Sequence, residues 1–273
     1  MRIEHRENGI DVYVRQSWIG DALMCNERGR NGILRPEWSM PNDATILGTA
    51  VHAGIASVLL GEGNAREVAH EELQRLLTEP FQRVKYSDEE LFDYANALCD
   101  EWEKTIAPTL GKVTGVEEAF HFEFDKFEIN GTPVTVYGKG TIDCVTETDI
   151  WDWKTSARKY SARDKQSQAV QPTMYSAAMV AKGTHEYPVT FKYGVLVRGG
   201  KGQIVPVHRN ESHADWLREQ VRPLVRTALL IGTDESWTKN DTHYLCSQTW
   251  CSYWSVCKGS KLSPADIIPK EQS

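Results

Sequence analysis

Three charged side chains in one short stretch, Asp143, Asp152 and Lys154, are spaced for joint chemistry. Read with a period of two, Thr141, Asp143 and Val145 share one face of a strand, and Ile142 and Cys144 share the other. A turn is expected around Glu147-Thr148-Asp149, followed by a second short strand over 150–155. Asp152 and Lys154 leave the same face of that second strand. If the two strands pair as a hairpin, Asp143 approaches Asp152 with an ammonium beside them. Paired carboxylates suit a hard divalent cation, which takes oxygen ligands. Such a cation polarises a phosphoryl oxygen and activates a bound water. Lys154 would orient that water or stabilise charge in the transition state. The same spacing also fits a solvated hairpin with a surface Asp-Lys pair. The apolar flanks Ile150, Trp151 and Trp153 speak for half-burial, where charge needs a partner.

Cysteines form a second constellation. The segment CSQTWCSYWSVC, residues 246–257, holds Cys246, Cys251 and Cys257, three of the six cysteines. A disulfide framework does not suit a chain of this size expected in a reducing compartment, so metal binding is the natural reading. Three thiolates leave one position open, and Cys25 is the obvious fourth. Four thiolates hold structural zinc in other proteins, usually as two close pairs. The pattern here is one distant cysteine plus three close together. Trp250, Tyr253 and Trp254 would shield a metal centre from solvent.

These residues need elements to position them. Ser17 is a plausible N-cap for a helix through Arg28 that carries Cys25 near its end. Residues 31–44 read as a loop. Residues 46–60, ILGTAVHAGIASVLL, form an apolar helix with His52 inside it. That histidine is a core imidazole or a ligand. Residues 65–77 and 88–106 have helical periodicity, and Leu91, Ala95, Leu98 and Trp102 make one stripe. Cys99 falls near the stripe and reads as core. Residues 116–129 alternate as a strand with Phe120, Phe122 and Phe124 on one face, and Asn130-Gly131 turns into the next. A helix is expected from about 165 to 181, with Gln171 and Tyr175 on one face. Pro172 marks a kink in it or a later start. Residues 187–198 and 203–209 read as strands, and 212–231 as an amphipathic helix ended by Gly232. The tail after Cys257 is polar and expected to be extended.

Gly140-Thr141-Ile142-Asp143 and Asp152-Trp153-Lys154-Thr155 resemble the G-x-x-D and D-x-K-T signature of PD-(D/E)XK nucleases, specifically the RecB-like branch. Gly48-Thr49-Ala50-Val51-His52 is similar to that branch's G-x-x-x-H, and Gln171 with Tyr175 to its Q-x-x-x-Y. Cys25 followed by Cys246, Cys251 and Cys257 resembles the iron–sulfur members, which include the AddB nuclease domain and the CRISPR-associated RecB-like exonucleases. The first C-terminal gap is longer here than the usual C-x2-C. The resemblance implies a restriction-endonuclease-like α/β fold, a mixed central sheet flanked by helices. It implies one nuclease domain over 1–273, with a helical part at about 45–108 and a catalytic sheet core at about 116–209. A [4Fe–4S] cluster would join residue 25 to residues 246–257. His52, Asp143, Asp152 and the Trp153 carbonyl would bind Mg²⁺ or Mn²⁺, with Asp143, Asp152 and Lys154 catalytic. Gln171 and Tyr175 would help to position DNA. Glu118 resembles a glutamate at the head of its strand in many such sequences.

The basic run Lys154, Arg158, Lys159, Arg163 and Lys165 lies where a phosphate backbone would pass, with Arg158 and Lys159 as DNA contacts. The chain has 273 residues and a net charge of −7, which counts against indiscriminate coating of nucleic acid. Its charged N-terminus lacks a signal core, and no run is read as a membrane span, so a cytoplasmic protein is expected. No Walker A sequence occurs, so a helicase would be a separate chain. The expectation is a metal-dependent nuclease, with a single-stranded DNA exonuclease, 5′ to 3′, favoured. The alternatives are an endonuclease, a double-strand exonuclease, or a DNA-binding accessory subunit. Recombination, CRISPR adaptation and phage DNA metabolism all fit, with a helicase, an integrase or further copies of the chain as partners.

Overall fold

The computed structural model of the chain describes residues 1–167, 170–248, 250–258 and 261. It opens with an antiparallel hairpin, β1 (Arg2–Arg6) and β2 (Gly9–Val14), that the sequence reading did not anticipate. Two helices follow instead of one, α1 (Gln16–Met24) and α2 (Asn26–Leu34). Ser17 is not the cap, because α1 begins a residue earlier behind Arg15. The break falls at Cys25, whose extended backbone (φ −157°, ψ 114°) ends one helix and starts the other. The bend lets Gly29 lie on Ala22, where a Cβ would come within 2.5 Å of the alanine methyl. Trp18 Nε1 pins the corner by donating to Gly29 O at 3.0 Å. Residues expected as a loop are therefore helical to Leu34.

Helix α3 (Asp43–Leu60) is capped by Asn42 and ended by Gly61 in the left-handed region at φ 72°. Helices α4 (Ala65–Leu77) and α5 (Asp88–Thr105) pack on it, and Ser87 and Glu90 form a capping box on α5. Gly54 permits the close approach of α3 to α4, since a Cβ there would meet Ala65 O at 2.3 Å. Among the described residues α3 alone is long and apolar enough to cross a membrane by length and composition, against the expectation that no run reaches that length. In this fold it packs on α4 and α5 as a core helix.

The centre of the sheet is a long hairpin, β3 (Val113–Ile129) and β4 (Thr132–Thr146). Asn130 and Gly131 turn it with φ of 51° and 77°, as a two-residue turn between right-twisted strands requires. Strand β3 lines the whole of one edge of β4. The other edge takes β2, parallel, at 134–138, and then β5 (Asp149–Ser156), antiparallel, at 144–145. Past β5 come α6 (Ala162–Ser167) and α7 (Val170–Ala181), in the region where a helix from about 165 to 181 is expected; residues 168–169 lie outside the described residues. Pro172 lies within α7 and is buried. Strand β6 (Val189–Val197) pairs parallel to β5, and β7 (Gln203–Arg209) pairs antiparallel to β6. Helix α8 (Glu211–Leu230) is capped by Asn210. The polar tail lies largely outside the described residues.

The result is a mixed sheet flanked by helices with two apolar cores. One gathers Ile19, Met174 and Leu217 from α1, α7 and α8 against sheet residues such as Phe124 and Phe191. The other joins α3, α4 and α5 to Trp151 and Trp153 of β5, with Trp102 packed edge-on to Trp153 at 5.9 Å. Cys99 and Cys144 are fully buried in this second core.

Candidate active site

Strand pairing brings the first constellation together. Cys144 lies opposite Trp151 and Val145 opposite Ile150, which sets Asp143 level with Asp152 across the hairpin. The Trp153 N–H donates to Asp143 Oδ2 at 2.6 Å. Lys154 makes an ion pair with Asp152 Oδ2. His52 arrives from α3, with Nδ1 3.4 Å from Asp143 Oδ2. Gly48, one turn before His52, explains how α3 comes so near: a Cβ there would sit 3.2 Å from Thr155 Oγ1 on β5. From the opposite core α7 supplies Gln171, whose Nε2 donates to Asp152 Oδ1 at 2.7 Å and lies 3.4 Å from the Tyr175 hydroxyl. Tyr175 itself is buried, with its ring against Phe120 and Phe191. Gln171 thus bridges the Asp152 carboxylate and the Tyr175 hydroxyl.

The two carboxylates are driven apart electrostatically. Burial opposes the Asp143 charge, but His52, Lys154 and the Trp153 N–H outweigh it and hold its carboxyl below the ordinary range. Burial, with Asp143 nearby, pushes Asp152 up to about 6 in spite of Lys154. Burial also disfavours the Lys154 cation, yet Asp152 and Asp143 together raise its pKa, so the ammonium keeps its proton. Burial likewise disfavours charge on His52, and Asp143 overcomes it.

Two residues join this group that the motif reading did not select. Glu117, not Glu118, is level with Asp143. Counted straight back from the Asn130-Gly131 turn, the ladder would set Glu118 there. A bulge between Glu123 and Asp125 slips the register by one, leaving Glu118 opposite Ile142 and ion-paired with Lys182. Glu117 has φ 47°, a left-handed backbone in the middle of a strand. Burial, Asp143 and Asp152 raise its pKa. Lys165 is the second. Its ammonium lies 4.3 Å from the Tyr160 ring and 5.6 Å from that of Tyr193, the residue paired with Asp152 in the β5–β6 ladder. Arg158 and Lys159, the members of the basic run singled out from sequence, are exposed beyond the strand end.

Two carboxylates and an imidazole fit Mg²⁺ or Mn²⁺ in donor type. Asp152 Oδ2 is buried, faces the lysine, and takes no well-formed hydrogen bond. That leaves a lone pair available to a cation. As they stand, no three His, Cys, Asp or Glu side chains among the described residues are gathered tightly enough to hold one ion. In this arrangement Lys154 pairs with Asp152 and His52 lies against Asp143.

The members of the second constellation share a cavity. Cys25, Cys246, Cys251 and Cys257 all line one cavity of about 280 Å³ between α1, α2 and the C-terminal segment. The Asn240 N–H lies 3.5 Å from Cys25 Sγ, and the Asn240 side-chain amide donates to Met24 O at 2.9 Å. Glu27 ties the same two regions together, accepting the Trp237 N–H at 2.7 Å and Arg30 Nη2 at 2.8 Å.

A sequence model of the PD-(D/E)XK nuclease superfamily matches residues 30–258. No curated protein matches the chain significantly. A crystal structure from Eubacterium rectale named "Putative exonuclease" superposes with a TM-score of 0.55 at 12% identity, covering 86% of each chain. The structure of SSO0001 aligns over 97% of this chain and 90% of its own, at 11% identity and a TM-score of 0.40.

Proposed function

The chain belongs to the PD-(D/E)XK nuclease superfamily, and from that premise we propose that it is a Mg²⁺- or Mn²⁺-dependent deoxyribonuclease that hydrolyses phosphodiester bonds. One observation carries the assignment to this site: the β4–β5 hairpin sets Asp143 level with Asp152, with Lys154 ion-paired to the latter and His52 closing the group from α3. His52, Asp143, Asp152 and the Trp153 carbonyl are the proposed ligands. A bound divalent cation would polarise the phosphoryl oxygen and acidify a water. The chain's own residues do the rest. Asp143, held ionised by His52, Lys154 and the Trp153 N–H, supplies the fixed negative charge. Gln171 fixes the plane of the Asp152 carboxylate. Burial opposes the Lys154 charge, but Asp152 and Asp143 favour it, and the ammonium would act as a positive charge on the pentacovalent phosphate. Water oxygen bonds to phosphorus and gives up a proton to solvent, the bond from phosphorus to the leaving sugar oxygen breaks, and that oxygen takes up a proton from solvent.

Exonucleolytic action on single strands from the 5′ end is the activity that the RecB-like motifs favour. End-labelled single-stranded, duplex and circular DNA, each with Mn²⁺ and with EDTA, tests it. Short products from linear single strands alone support the reading. Cutting of circles replaces it with an endonuclease.

We also propose that Cys25, Cys246, Cys251 and Cys257 hold a [4Fe–4S] cluster. A single zinc, with Zn–S distances of about 2.3 Å, needs four sulfurs converging on one point. Thiols ringing a cavity suit a cluster that has volume of its own. Anaerobically purified protein should be brown, with stoichiometric iron and sulfide. Colourless protein carrying one zinc would refute the cluster.

A further inference from the structure

We propose that the groove between α1 and the first turn of α7 is a base-binding subsite for single-stranded nucleic acid. The groove has a volume of about 750 Å³. At one end it begins with Gln171, which holds Asp152, and Tyr193, the ladder partner of Asp152. At the other it reaches Asn240 and His243, which also line the cysteine cavity. It is a path from the carboxylates to the cysteine-rich segment.

The chemistry of the walls selects the occupant. Among the described residues no lysine or arginine lines the groove, and its one charged residue, Asp21, is an acid bound to Arg28 at 2.8 Å. Phosphates are poorly served by such walls. Gln16 and Ser17 instead offer neutral donors and acceptors, which match the edges of bases, while the amides of Gln171 and Asn240 are already partnered within the protein. His243 lines the groove, its ring stacks on that of Tyr244 with centroids 4.8 Å apart, and Tyr244 is 75% exposed. Aromatic faces of this kind take unpaired bases of any sequence. A duplex keeps its base edges paired and its faces stacked, so it cannot enter. The cations Lys154 and Lys165 lie outside the groove on the carboxylate side, where the backbone of the same strand would run. The inference rests on the nuclease reading only for the identity of the strand as substrate.

Gly20 provides the test. It lies on the groove wall in the middle of α1, and a Cβ built there meets nothing within 4 Å. Replacing a mid-helix glycine also favours the helix, so folding is not at risk from the backbone. Gly20→Phe would project a ring into the groove, whereas Gly20→Ala would not. Binding of a short fluorescein-labelled single strand and of the matching duplex is measured by anisotropy in EDTA, so that nothing is cut. Gly20→Phe should weaken single-strand binding by about tenfold or more. Gly20→Ala should bind as wild type, and duplex affinity should be the same for all three proteins. Wild-type protein that does not bind single strands, Gly20→Phe that binds them unchanged, or an equal loss for duplex would each overturn the subsite. Cleavage of the same strand with Mn²⁺ by wild type and Lys154→Ala tests the nuclease reading separately: no cleavage with groove-dependent binding would sink that reading and leave the subsite standing.

Discussion

The backbone N–H of Trp153 donates to Asp143 Oδ2 at 2.6 Å, so the strand that carries Asp152 also fixes the carboxylate facing it. One strand thereby positions both acids, and Lys154, the next residue, falls beside them without any loop having to place it. Sites built on paired strands hold their geometry better than sites on loops.

Removing the imidazole tests the third side of this group. His52→Ala takes away the group within 3.4 Å of Asp143 Oδ2. Metal-dependent cleavage should fall by about 10–100-fold, with part of the loss recovered at high Mn²⁺. The check is a Mn²⁺ titration of the initial rate.

The register slip separates two adjacent glutamates. Glu117→Gln removes a carboxyl level with Asp143 and should lower the cleavage rate, by about tenfold on the scale of a residue supporting a metal site. Glu118→Gln breaks only the ion pair with Lys182 and should leave the rate unchanged. Parallel kinetics on the two variants decide between them, and the opposite ranking would reject the bulge as the reason Glu117 faces the site.

Lys165→Ala should weaken DNA binding more than it slows cleavage of bound DNA. The ammonium sits over Tyr160 and Tyr193 beside the Asp152–Lys154 pair, where a phosphate would lie. KM should rise several-fold, and the slope of log affinity against log salt should drop by about 1.

Asp43 gives a prediction about stability. Its buried carboxylate accepts N–H groups from Val84, Tyr86 and Ala44, at 3.2, 2.8 and 2.8 Å, and from Lys85 at 2.5 Å. Burial alone would raise its pKa, but these four donors outweigh it and lower it. A folded pKa below the unfolded value, about 3.9, means stability that is present above that pH and lost as pH falls through the folded value. Asp43→Asn should cost about 1–3 kcal/mol at neutral pH. In acid the difference between the variant and wild type should narrow. Urea titrations at a series of pH values measure it.

Local signals carried much of this architecture. The Asn130-Gly131 turn, the phenylalanine alternation of β3 and the Leu91, Ala95, Leu98 and Trp102 stripe of α5 are readable because each is a short-range pattern with a single solution. The Asp143, Asp152 and Lys154 grouping follows from one hairpin, so it too is local. What sequence spacing missed is long-range or depends on a single irregular residue. Strand β2 is defined by parallel pairing with β4, far along the chain. The break at Cys25 is one extended residue between two stretches of good helix. The bulge near Phe124 has no marker such as glycine or proline, and it alone exchanges Glu118 for Glu117. Lys165 was visible as one basic residue in a run, but only the fold of α6 over Tyr160 and Tyr193 distinguishes it from Arg158 and Lys159. The shared cavity of Cys25 with Cys246, Cys251 and Cys257 depends on contacts between the two ends of the chain, such as Glu27 with Trp237.

The most direct test of the account is single-turnover cleavage of end-labelled DNA by Lys154→Ala beside wild type, with Mn²⁺ saturating and DNA affinity measured on the same samples. The account predicts a loss of at least about 100-fold in the cleavage rate, the scale of one electrostatic stabiliser at a reacting centre. Folding and DNA affinity should stay close to wild type. Lys154→Ala protein that cleaves as fast as wild type would contradict the assignment of this site.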